Sequence, residues 1–169
     1  MTNSNQGPFL RSYWVWPGHL LAGPFPGAWD EDKARQKLQA LINTGITLVI
    51  DLTEPGEHDS YVAMLHAEAA AVGYKVKHYR LAIPDMDIPS PDLMTTILDT
   101  IDSALDEGEV VYVHCMGGIG RTGTTIGCYL VRHGMTGDEA LNEIVRLRGG
   151  LEDSPETFEQ HMMVRHWRE

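Results

Sequence analysis

The sequence predicts a single α/β domain, with a central mixed β-sheet flanked by helices on both faces. Three observations predict it. Short apolar or alternating runs, among them Ile46–Leu52, Lys75–Leu81 and Val110–His114, take turns with segments of helical spacing. Capping residues or glycines mark the ends of the helical segments. No repeat and no linker divides the 169 residues, a length that suits one domain with a full core.

The elements follow in order. Residues 1–8 are polar and read as a disordered tail, which leaves 9–169 for the folded domain. Ser12–Gly23 carries Tyr13, Trp14 and Trp16, a Pro17-Gly18 turn and then Leu20–Ala22, the pattern of a hairpin. Asp30 is an N-cap for a helix over 31–44, which Gly45 ends. Ile46–Leu52 is a buried strand, followed by a Pro55-Gly56 turn. A helix runs from Ser60 to Val72 and stops at Gly73. Lys75–Leu81 alternates as a strand and leads into Ile83-Pro84-Asp85-Met86-Asp87-Ile88-Pro89. Ser90 caps a helix with Pro91 at its first position, running to about residue 105. Val110–His114 is a further buried strand, and a helix over 124–133 closes at Gly134. Thr136 and Glu139 form a capping box for a helix to Arg148. Ser154-Pro155 is expected to open a last helix that runs through the C-terminus.

Composition narrows the function. Hydrophobic residues make up 43% and charged residues 22%, as in soluble globular proteins. The net charge of −11 argues against nucleic acid and against an anionic membrane surface as partners. The two cysteines imply no disulfide framework and suit a reducing compartment. Cys128 lies among Ile126, Tyr129 and Leu130 and reads as a core residue. No apolar run is long enough to span a bilayer.

The chemistry concentrates in Val110–Gly123. After the strand come His114, Cys115 and a loop holding Gly117, Gly118 and Gly120, with Arg121 six residues beyond the cysteine. Such a loop can curl so that successive N–H groups converge. The helix beyond it adds free N–H groups and the positive end of its dipole. Met116, Gly117, Gly118, Ile119, Gly120 and Arg121 thus make a cradle for a phosphate dianion. Cys115 enters at its base, where the same dipoles favour the thiolate, and the Arg121 fork can hold two phosphate oxygens. Two other readings fail. Gly118–Gly123 fits a dinucleotide fingerprint by letter, but helical spacing occupies the place of its second strand. A nucleotide-binding P-loop needs a lysine, and the loop has none.

His114-Cys115-x-x-Gly118-x-x-Arg121-Thr122 resembles the signature of the cysteine-dependent protein tyrosine phosphatases, in the flavour of the small atypical dual-specificity branch. Trp14–Gly18 with Leu21–Gly23, Ile83-Pro84-Asp85 and Glu156–Gln160 resemble three flanking motifs of that branch. The chain departs from the pattern at Gly149, where a proline is usual, and at Leu151–Asp153, which looks inserted.

The resemblance implies hydrolysis of phosphotyrosine, and of phosphoserine or phosphothreonine, in proteins through a phosphocysteine intermediate. It implies Cys115 as nucleophile, Arg121 as phosphate clamp, Asp85 as general acid with Asp87 as its competitor, and Thr122 as a hydrogen-bond donor to the sulfur. His114 would fix the loop, and Glu156 or Gln160 would orient the hydrolytic water. Glu54 either braces Arg121 or is a solvated turn residue, the plainer reading. The other histidines show no metal-ligand spacing and read mostly as surface residues. No metal and no cofactor are expected, and the domain reads as a cytoplasmic monomer whose partner is a phosphorylated protein or peptide. A phosphatase of the same mechanism acting on phosphoinositides or other small phosphomonoesters is the alternative, although such pockets tend to carry lysines in the loop.

Overall fold

The computed structural model describes residues 4–169. The strands are β1 (Tyr13–Trp16), β2 (Leu20–Gly23), β3 (Leu48–Asp51), β4 (Lys77–Arg80) and β5 (Val111–His114). The helices are α1 (Glu31–Asn43), α2 (Val62–Ala71), α3 (Pro91–Asp106), α4 (Gly120–Arg132), α5 (Gly137–Leu147) and α6 (Phe158–Arg165). One mixed sheet has the order β1-β2-β5-β3-β4, in which β1 and β2 form an antiparallel hairpin and all other pairs are parallel.

Side chains alternate across the sheet, and both faces are covered. Leu48, Ile50, Val111 and Val113 pack with residues of α3, α4, α5 and α6. Val49 and Tyr112 pack on the other face with Leu38, Leu41 and Ile42 of α1 and with Leu65 and Ala69 of α2. Burial on both sides is why β3 and β5 read as unbroken apolar runs. Each such side chain contributes about 1.5–3 kcal/mol. β4 is one of the two edge strands, and its Lys77 and Arg80 discourage pairing with another chain.

The register places the site. His114 pairs with Gly23 on one side and Asp51 on the other, and Asp51 pairs with Arg80. The carboxyl ends of four parallel strands therefore share one level. Ligands of open α/β sheets bind at that edge.

Three expectations change. Residues 1–3 of the expected tail lie outside the described residues. Residues 4–8 are ordered rather than loose: Asn5 is buried, Trp14 N donates to Asn5 O at 2.6 Å, and Asn5 Nδ2 donates to Trp14 O at 3.0 Å. The segment extends the hairpin as an outer ribbon, because main-chain pairing outweighs its polar composition. The helix expected from Thr124 starts four residues earlier, at Gly120, and takes Arg121 and Thr122 into its first turn. The last helix starts at Phe158 rather than at Ser154. Thr157 is its N-cap, in a reciprocal capping box with Gln160. Glu156 therefore precedes the helix and is not in its first turn.

Candidate active site

β5 delivers Cys115 to the foot of α4, where the thiol is only 3% exposed. Ile119, the N-cap of α4, makes no side-chain cap, so the first N–H groups of the helix are left for another acceptor. The loop between is pinned by its own backbone. Phe25 N donates to Met116 O at 2.9 Å, and Ser154 Oγ donates to Ile119 O at 2.6 Å. Gly118 has φ +71, and a Cβ there would lie 2.5 Å from Gly23 C. Both the conformation and the close approach to the β2 backbone demand glycine.

Arg121 is 1% exposed and held from one side. Its two terminal nitrogens donate to Glu57 Oε2 at 2.9 Å and Glu57 Oε1 at 2.6 Å. One of them also donates to Ile83 O at 2.9 Å. The other lies 3.2 Å from Asp85 Oδ1. Nε has no hydrogen-bond partner among the described residues. One edge of the guanidinium is thus fixed to the scaffold, and the edge with Nε is left open to an acceptor. The Arg121 hydrogen bonds hold the Glu57 carboxyl below the usual carboxylate range.

The brace is therefore Glu57 and not Glu54, which is exposed in the turn. The Pro55-Gly56 turn folds Glu57 back, and Glu54 N donates to its Oε2 at 2.7 Å. An acid just after a Pro-Gly turn was the available signal. Its distance to Arg121 was not.

His114 is fully buried. Its Nδ1 lies 2.8 Å from Cys115 O, which can only accept, so Nδ1 carries the proton. Nε2 then accepts from Tyr61 OH at 2.6 Å. Burial pushes the imidazole down to about 4, against the pull of the Asp51 charge, so the neutral ring fits both bonds. Asp51 lies beside it, completely buried. Burial opposes its charge, but His78 Nε2 at 3.0 Å, the nearby His114 and two bonds from Thr53 hold it well below the carboxylate range. Arg80 adds a contact at 3.3 Å. The side chains of His58 and His78 are only 5% and 13% exposed, so these two are not surface histidines. They pack around Asp51, which sequence reading passed over as the end of a strand.

The remaining candidates divide. Asp85 and Asp87 each accept from the N–H of the next residue, Met86 at 3.0 Å and Ile88 at 2.8 Å, but of the two Asp85 contacts Arg121. Thr122 Oγ1 is buried with no hydrogen-bond partner among the described residues, so the expected bond to Cys115 is not made. Thr122 lies in the first turn of α4. Gln160 and Glu156 both reach the cradle: a Cβ at Gly120 would lie 3.0 Å from each. The Gln160 amide is already committed, accepting from Glu156 N and Thr157 N at 3.0 Å and donating to Asp87 O at 3.1 Å. It joins the last helix to the loop that carries Asp85. The Glu156 carboxylate is exposed and has no ion-pair partner among the described residues. Cys128 is buried, and burial pushes its thiol well up.

A buried thiol at the end of β5, a short glycine-rich loop and an uncapped helix whose first turn carries a clamped guanidinium suit thiol-dependent phosphoryl transfer. The sequence model of the DSP-PTPase phosphatases of polymorphic toxin systems matches residues 27–135, more than half of the chain. This chain belongs to the DSP-PTPase phosphatase family. It is 31% identical over 94% of its length to Protein tyrosine phosphatase domain-containing protein 1 of Mus musculus, covering 21% of that protein. It is 30% identical over 85% of its length to Dual specificity protein phosphatase CDC14C of Homo sapiens, covering 31% of it. The phosphatase domain thus spans between a fifth and a third of these two relatives. Among solved structures, Tk-PTP in its active form superposes with a TM-score of 0.69 at 27% identity, over 89% of this chain and 95% of that one.

Proposed function

We propose that this domain hydrolyses phosphate monoesters on proteins, phosphotyrosine foremost, through a thiophosphate intermediate on Cys115. The observation that carries the reading is the Cys115 thiol at the foot of an uncapped helix, opposite an Arg121 already locked by Glu57.

In the first step Cys115 Sγ attacks phosphorus and the ester P–O bond breaks. Asp85 gives its proton to the departing oxygen, which would otherwise leave as an unstable anion. The helix and loop amides and Arg121 hold the equatorial oxygens, where charge accumulates. In the second step water attacks phosphorus, Asp85 takes the proton back, and the P–S bond breaks to return the thiolate. Glu156, beside Gly120, is placed to orient that water, and Gln160 positions the acid loop. A cytoplasmic setting fits a mechanism that needs a reduced thiol.

Turnover of p-nitrophenyl phosphate by the wild type, by Cys115→Ser and by Cys128→Ser tests the reading. The first variant should lose turnover yet still bind vanadate, because the cradle is backbone. The second should retain most activity. Turnover surviving in Cys115→Ser would overturn the mechanism.

A further inference from the structure

Five segments border the cradle, and contacts fix each one there. Residues 116–119 form the loop part of the cradle, whose other two residues, Gly120 and Arg121, open α4. Residues 24–30 join it through Phe25 N and Met116 O. Residues 53–60 join it through Glu57, and 82–90 through Ile83 O and Asp85 on Arg121. Residues 149–157 join it through Ser154 on Ile119 O and Glu156 beside Gly120.

None of these segments contains a lysine or an arginine, and together they hold nine Asp and Glu residues. Glu57 and Asp85 pair with Arg121, and Asp153 pairs with Arg148. The other six, Asp30, Glu54, Asp59, Asp87, Glu152 and Glu156, are exposed. None of those six makes an ion pair among the described residues. Of the nearby cations, Arg121 and Arg148 pair with these carboxylates, Lys37 Nζ donates to the carbonyls of Phe25 and Gly27, Arg80 contacts Asp51, and Arg11 stands exposed near Asp153. Five large apolar side chains, Trp29, Met86, Met116, Leu151 and Phe158, stand exposed on the same segments and on the head of α6.

A phosphate dianion is attracted only by the recessed amides and the buried Arg121. The six exposed carboxylates on these segments repel further negative charge and attract positive charge within a Debye length of about 8 Å at physiological salt. We propose that the mouth selects phosphorylated polypeptide segments whose flanking residues are lysine or arginine, and rejects esters that carry additional phosphates or acidic flanks. The inference rests on the Cys115 pocket being the phosphatase site, and adds the class of substrate that reaches it.

Three phosphotyrosine peptides of equal length, differing only in two flanking Lys, Ala or Asp residues, test it beside p-nitrophenyl phosphate. A short-chain phosphatidylinositol bisphosphate is the polyanionic probe. The expected order of kcat/KM is Lys over Ala over Asp, with Lys exceeding Ala roughly 3- to 30-fold. The gap should shrink as salt rises from about 0.05 to about 0.5 M. The bisphosphate should be the poorest substrate. Reversing charge at Glu54 and Glu152 together (Glu54→Lys, Glu152→Lys) should narrow or invert the order. Equal rates for the three peptides, a salt-independent order, or preferred turnover of the bisphosphate would overturn the proposal while p-nitrophenyl phosphate turnover leaves the phosphatase reading standing. Loss of p-nitrophenyl phosphate turnover in the wild type would remove both.

Discussion

Glu57 and Arg121, 64 residues apart in sequence, meet at two points, with N···O distances of 2.9 and 2.6 Å. The pair is partly buried, so it orients the guanidinium instead of merely decorating the surface. Two-point geometry fixes a plane as well as a position. Glu57→Gln keeps the shape and one acceptor but loses the charge. A hydrogen bond to a charged group contributes about 1.5–3 kcal/mol, so kcat/KM for p-nitrophenyl phosphate should fall roughly 10- to 100-fold. An unchanged value would show that the Ile83 carbonyl holds Arg121 without Glu57.

Asp85 is the loop acid that contacts Arg121, and Asp87 makes no such contact. Asp85→Asn should lower kcat by roughly 10²–10⁴ and flatten the basic limb of its pH profile. The loss should be smaller for esters whose leaving group needs no proton. If Asp87→Asn flattens the limb and Asp85→Asn does not, the role passes to Asp87.

His114 gives the protein a defined acid weakness. Its folded value of about 4 lies below the ordinary 6.5, so between these the unfolded chain binds the extra proton. Stability from the neutral ring is therefore full above about 6.5 and lost as pH falls towards about 4. Asp51, held below its ordinary value of 3.8, adds a loss at still lower pH. The melting temperature of the wild type should drop across the upper window. In His114→Asn the drop should be shallower, on a lower starting stability. Parallel slopes in the two proteins would refute the assignment.

Gly118→Ala meets two obstacles at once: a positive φ and a Cβ placed 2.5 Å from backbone of β2. A flexible side chain could move aside, but Gly23–Pro24 cannot. The variant should lose about 1–3 kcal/mol or more in denaturant unfolding, and its turnover should fall with the distorted cradle. Wild-type stability and activity together would show the loop to be looser than its contacts indicate.

Sequence alone determined what depends on near neighbours. Strand and helix order followed from periodicity and caps. The turn from β5 into a helix was legible in Cys115, its glycines and Arg121, because five loop residues, Cys115–Ile119, and one helix turn build it. Thr157 and Gln160 also spelled a capping box, a local signal that the Ser154-Pro155 start obscured. Tertiary structure alone decided the rest. Glu57 reaches Arg121 across 64 positions, Asp51 gathers histidines from three elements, and Gln160 ties the last helix to the acid loop. No periodicity encodes such pairs, since an acid one turn position away has the same propensity and charge. Only the register of β3 beside β5, and the turn that brings Glu57 back over it, chooses between Glu54 and Glu57.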